Sequence, residues 1–105
     1  MDADGIHGQL DTLILATLKR GEAHGYAIIA ALKESSGEQL DLPSGTVYPA
    51  LRRLERAGYA AGKWTQASGR RRRVYAITDE GLAALAKGRE DWLALREVMS
   101  AVLGP

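Results

Sequence analysis

Hydrophobic positions along this chain fall into stretches with helical spacing, interrupted by one stretch that alternates. From Gln9 to Lys19, Leu10, Leu13, Ile14, Thr17 and Leu18 share one helical stripe. Leu15 lies off that stripe, which predicts a second contact surface for the same helix. Lys19 and Arg20 suit the negative end of its dipole, and Gly21 closes it. A second helix is predicted from Gly25 or Tyr26 to Glu34, with Tyr26, Ile29 and Ala30 facing inward and Ser35-Ser36-Gly37 stopping it. After the loop Glu38 to Pro43, Ser44 is an N-cap candidate for a third helix, in which Val47, Leu51 and Leu54 recur at i, i+4 and i+7. Helix, short connection, helix is the helix-turn-helix arrangement. Pro49 forfeits one backbone hydrogen bond near the first turn, so an irregular or tightened start is expected, and Gly58 ends the helix.

Tyr59 to Gln66 and Arg73 to Thr78 are rich in aromatic and β-branched residues, with Tyr75 and Ile77 alternating against Val74 and Ala76. Ala67, Ser68, Gly69 and Arg70 supply turn chemistry between them, and the two runs predict a β-hairpin. Thr78 caps a fourth helix, with Asp79 and Glu80 at its positive dipole end, that runs toward Leu103. Leu85, Trp92 and Met99 are spaced by seven, and Gly88, Leu95 and Val102 form a second seven-spaced set beside them. Such a seam is that of a coiled coil. A chain this small has little left to cover it, so a second copy is expected there, in a two-fold homodimer through Leu85, Trp92, Leu95, Met99 and Val102. Gly88 weakens the helix by about 1 kcal/mol relative to alanine, and is expected to make room for the Trp92 indole.

Charge changes this picture of a small helical domain. Between Leu42 and Thr78, Arg52, Arg53, Arg56, Lys63 and the run Arg70 to Arg73 face one acid, Glu55, for a net +7. Residues 1–41 sum to −4 and residues 79–105 to −2, so the whole-chain +1 conceals a cationic middle. A positive potential concentrated in this way selects a polyanion. In the third helix the aliphatic stripe places Arg52, Arg53 and Arg56 on the far side and Tyr48 on the flank. An arginine-faced helix beside an arginine-tipped hairpin can meet phosphates and a groove together.

The 105 residues, 46% of them hydrophobic, suit one small domain with a modest core. Within it, residues 1–78 read as the nucleic-acid-binding part and residues 79–105 as the association helix packed with it. The absence of cysteine leaves neither a disulfide framework nor a thiolate metal site. No apolar run approaches the roughly 20 residues of a membrane span, and the acidic, glycine-interrupted start does not form a signal peptide. The cytoplasm is the expected compartment, with no membrane partner. His7 and His24 lie far apart and match no ligand spacing, so no metal and no cofactor is expected. No phosphate-binding glycine loop, nucleophile elbow or convergent carboxylate pair marks an enzyme.

Several of these pieces together resemble the signature of PadR-type transcriptional regulators. The residues that carry the resemblance are Leu42-Pro43-Ser44-Gly45-Thr46-Val47-Tyr48-Pro49-Ala50-Leu51 with Arg53-Leu54-Glu55, His24-Gly25-Tyr26 with Ile28, and Arg73 to Thr78 with Gly81. Gly8-Gln9-Leu10 opens the first helix in the same way, so the likeness runs from Gly8 to about Leu103. It implies a mainly α winged helix-turn-helix with a small β-hairpin and a long C-terminal dimerisation helix. It implies a regulator, here expected to be a repressor, that binds a pseudo-palindromic duplex as a homodimer. The DNA contacts carried over are Ser44, Thr46, Tyr48 and Arg52 near the start of the recognition helix, Arg53 and Arg56 further along, and Arg70, Arg71 and Arg72 in the wing. His24 takes a structural role at the head of the second helix. In short members of the family the dimer interface can enclose an apolar cavity for flat aromatic compounds. That implies an effector site at Trp92, with Leu85, Leu95 and Met99, for a planar aromatic ligand. The wing departs from the family pattern in being short and almost wholly arginine, which leaves minor-groove insertion and plain phosphate contact both open. The alternative function is a winged-helix module that binds protein and not DNA, which loss of the arginines on helix and wing would signal. An RNA reader would need a larger aromatic platform than Tyr59, Trp64 and Tyr75 on one hairpin can form.

Overall fold

A computed structural model describes residues 8–104 of the chain. The expected loose lead-in at residues 1–7, with His7, and Pro105 lie outside the described residues. Four helices, α1 (Leu10–Lys19), α2 (Gly25–Ser35), α3 (Ser44–Arg56) and α4 (Asp79–Leu103), surround a small antiparallel sheet of β1 (Ala23–His24), β2 (Ala60–Ala67) and β3 (Arg70–Ile77). The sheet order is β1-β3-β2. The sequence pattern predicted only the hairpin. The third strand is two residues long, too short to alternate visibly, and it forms by pairing Ala23 with Tyr75 and His24 with Val74 along the other edge of β3.

α1 is the central element, packed against α2, α3, α4 and β3. This explains why Leu15 is as buried as Ile14 and Leu18: a helix enclosed on several sides needs more than one apolar stripe. In α2 the inward row is Gly25, Ile28 and Leu32, which corrects the expected Tyr26, Ile29 and Ala30. Tyr26 is 67% exposed. Two apolar rows compete on this short helix, and the one that wins carries the glycine on which Tyr48 rests.

The connection from α2 to α3 is held by Leu40 and Leu42, both in the core, and by Ser36. The Ser36 hydroxyl donates to the Lys33 carbonyl at 3.0 Å and accepts from the Leu40 amide at 2.9 Å. The buried Leu42 leads into Pro43, whose extended backbone (φ −74°, ψ 154°) occupies the cap position of α3. Ser44 is therefore the first helical residue and not the cap. The Pro43 carbonyl accepts from both Thr46 N–H at 3.0 Å and Val47 N–H at 3.2 Å, the tightened first turn expected of this segment. Val47, Ala50, Leu51 and Leu54 face inward.

Thr78 caps α4 through its hydroxyl, which accepts from Gly81 N–H at 3.0 Å and donates to the Gly58 carbonyl at 2.6 Å. α4 packs on α1 over its first half, with Ala84 and Leu85 against the core. The contact at Gly88 is with α1, not with the Trp92 indole. A side chain there would run into Thr12, whose Cγ2 lies 3.1 Å from the Cβ position. Thr12 is β-branched in a helix and has few rotamers with which to retreat. Gly88→Ala is therefore expected to leave stability unchanged or reduced in the wild-type background. In a Thr12→Ala background the same change should stabilise by up to about 1 kcal/mol, the intrinsic helical preference of alanine. A double-mutant cycle of urea midpoints checks this, and equal effects in the two backgrounds would refute the contact. No helix among the described residues is long and apolar enough to cross a membrane.

Candidate nucleic-acid interface

The core-facing row of α3 determines where its other side chains point. Arg52 and Arg56 lie opposite that row, with Gly45 and Pro49 nearer the N-terminus on the same side. Ser44, Gly45, Arg52, Arg53 and Arg56 are exposed, and Thr46 and Tyr48 half-buried. Among the described residues neither Arg52 nor Arg56 has a carboxylate at ion-pairing distance. Arg53 does. Its Nη2 donates to Asp11 Oδ1 at 2.9 Å, tying α3 to α1. On the other flank Glu55 accepts a hydrogen bond from Arg73 of β3.

Tyr48 is placed by a backbone that makes room for it. A side chain at Gly25 would lie 2.5–2.6 Å from the Tyr48 ring and hydroxyl, so only glycine seats the phenol there. Tyr26 meets it edge-on, with ring centroids 6.0 Å apart. Burial raises the Tyr48 phenol above its ordinary value, with Tyr26 and Tyr75 adding to the rise and Arg72 opposing it. A raised pKa means that the folded state holds this proton more tightly than the unfolded chain. Stability from Tyr48 is therefore fully present below about pH 10 and falls as pH rises through the folded value. Urea midpoints between pH 8 and 11 should show a decline that is shallower in Tyr48→Phe, and identical declines would refute the assignment.

The hairpin turns through Ser68 (φ 53°) and Gly69 (φ 74°), both left-handed, the geometry of a type I′ turn. The arginine run does not sit on the turn; it occupies the first half of β3, opposite Trp64 to Ala67. Strand alternation divides it between two faces, which relieves the mutual repulsion of four adjacent guanidinium groups. On one face Arg71 and Arg73 lie over the Trp64 ring, 4.7 and 5.5 Å from its centroid. Gly62 leaves space for Arg73 to reach Glu55. On the other face Arg72 Nη1 lies 2.6 Å from His24 Nε2. Arg70 is exposed near the tip. His24 caps α2, its Nδ1 accepting from Ala27 N–H at 3.2 Å, as expected for the head of that helix.

Of the residues singled out in the sequence for DNA, the fold thus gathers all nine on α3 and the hairpin. Among the described residues it leaves Arg52, Arg56 and Arg70 open and engages Arg53, Arg71 and Arg72. Sequence reasoning missed Trp64 as the partner of the wing arginines. The signal was its cross-strand position opposite Arg73 once the turn at Ser68-Gly69 is placed.

The four residues Trp92, Leu95, Met99 and Val102 line one side of the projecting half of α4, spaced three, four and three apart. They are exposed by 46%, 45%, 49% and 79%. Leu85 is not continuous with them in exposure, being half-buried against the core. Arg96 lies over the Trp92 ring at 5.7 Å.

Comparison with known proteins places this geometry. The family described as "Transcriptional regulator PadR-like family" matches residues 14–87. The negative transcriptional regulator PadR of Bacillus subtilis is 32% identical over 81 residues, 76% of this chain and 42% of that protein. A transcriptional regulator from Clostridium thermocellum has a similar structure, with TM-score 0.88 and 32% identity over 93% of this chain and 96% of that one. Bacillus subtilis PadR in complex with operator DNA has TM-score 0.68 and 30% identity, over 84% of this chain and 48% of that one.

Proposed function

This chain belongs to the PadR-like family of transcriptional regulators, which are not enzymes, and from that premise we propose that it binds operator DNA as a two-fold homodimer and represses transcription. The observation that carries the reading is the outward face of α3, where Arg52 and Arg56 are exposed and, among the described residues, free of carboxylates. The similarity to a PadR–operator complex supports it. Each α3 enters a major groove, and the two are about 34 Å apart, one helical turn of duplex. Ser44, Thr46 and Tyr48 stand near the first turn, Arg52, Arg53 and Arg56 follow, and Arg70, Arg71 and Arg72 take phosphates from the wing. Residues 1–78 do the binding and residues 79–105 the pairing, in the cytoplasm. The alternative, a winged helix that binds protein and not DNA, would be signalled by loss of the arginines on helix and wing, and here they are present.

Pairing buries Trp92, Leu95, Met99 and Val102 of both copies, with Leu85 at the domain end of the seam. A planar aromatic effector enters between the paired Trp92 rings, changes the spacing of the two α3 helices and releases the duplex. Selection of bound duplexes from a random pool tests the DNA reading; the expected product is a pseudo-palindrome with half-sites one turn apart. Failure to retain any duplex in dilute buffer would end it. For the effector, indole quenching by planar dyes in a Trp64→Phe background isolates Trp92, and no quenching would remove the ligand.

A further inference from the structure

An open cleft of about 410 Å³ lies between the head of α2 and the outer half of the hairpin, lined by His24, Thr65, Ala67, Ser68, Arg70, Arg72 and Val74. None of these residues is acidic. Two of its lining residues, His24 and Arg72, meet as donors. A neutral imidazole offers one lone pair and one N–H. The lone pair of His24 is at Nδ1, taken up by the Ala27 amide, so Nε2 carries the hydrogen. Arg72 Nη1, 2.6 Å away, belongs to a guanidinium, which has no lone pair to offer. Two N–H groups therefore converge with no acceptor between them. Among the described residues no carboxylate pairs with Arg72 to resolve this.

From this convergence we infer that His24 and Arg72 form a seat for one phosphate oxyanion, both donating to it, with Arg70 and the Thr65 and Ser68 hydroxyls at the rim. An oxygen with several lone pairs satisfies both donors at once, and a charged acceptor strengthens each bond. The inference rests on the DNA reading for its occupant, a phosphodiester of the duplex backbone. It adds His24 to the contacts and makes α2, not only α3 and the wing, part of the clamp. Because His24 also caps α2 and its strand pairs with β3, a phosphate held there would fix the wing against the helix-turn-helix. Contacts of this kind set the register of a protein on its duplex.

His24→Asn tests the seat, since asparagine keeps a good cap for α2 and removes the Nε2 donor. The expected result is unchanged urea stability and about a hundredfold weaker binding to the selected duplex, one hydrogen bond to a charged group being lost from each subunit. The salt slope should hold, because no charge is removed, whereas Arg72→Ala should lower it by about one unit for each subunit. The double variant should lose less than the sum of the two single losses, since both groups act on one oxyanion. Additive losses, or a duplex that binds wild type and His24→Asn equally with the His24 imidazole nitrogen signals unmoved, would overturn the seat and leave DNA binding standing. If wild type retains no duplex, the DNA reading fails on its own. Titration with inorganic phosphate then decides the seat: movement of the His24 Nε2 signal supports it, and no movement overturns it.

Discussion

Glutamate at both Leu95 and Met99 is expected to yield a protein that sediments as one copy, keeps its helical spectrum, and binds the selected duplex at least about a hundredfold more weakly. The leucine and methionine side chains are nearly half exposed and belong to no part of the core. Removing them costs the single chain little, because the core against which α4 packs ends at Leu85 and Gly88. In a two-fold pair each substitution occurs twice, and carboxylates face each other where an apolar seam is expected. The weaker binding follows from linkage. Two half-sites joined through a dimer bind at an effective concentration that a single copy cannot reach, and separating them forfeits a factor of roughly 10² to 10⁴. A variant that still sediments as two copies would place the interface elsewhere.

The elements most legible in the sequence were those bounded by chemistry that acts locally. Gly21, Ser35-Ser36-Gly37 and the Thr78 cap mark helix ends because each satisfies backbone groups within a few residues. The hairpin was legible in the same way, from Ser68-Gly69 between two β-prone runs. What escaped depends on contacts distant in sequence. The inward face of α2 is chosen by Gly25 against Tyr48, and the role of Gly88 by Thr12, seventy-six residues earlier in the chain. The strand β1 exists only because β3 has a free edge beside it. The site shows the same division. The charge of α3 and the wing was plain from composition, and so were the residues that carry it. Which of them are free was not, since Asp11, Glu55, Trp64 and His24 reach them from elements far away along the chain.

That distinction between free and engaged arginines carries the second large effect. Alanine at both Arg52 and Arg56 is expected to abolish discrimination between the selected operator and unrelated duplex. Residual, salt-sensitive binding through the wing should remain. Each bidentate arginine contact to a base edge discriminates by about 1–3 kcal/mol, so removing two from each subunit should reduce the specificity ratio by at least about a hundredfold. The fold should survive, because both side chains are exposed, neither holds an ion pair among the described residues, and alanine is the better helix former. Arg53→Ala would not give so clean a result, since it also releases Asp11 and loosens α1 from α3. Arg71→Ala with Arg72→Ala should act differently, weakening operator and unrelated duplex alike and lowering the salt slope by about one unit for each phosphate no longer neutralised. Competition binding at several salt concentrations separates the two patterns. A uniform weakening in the Arg52/Arg56 variant, with the ratio of operator to unrelated duplex intact, would mean that α3 holds the backbone and that sequence is read elsewhere.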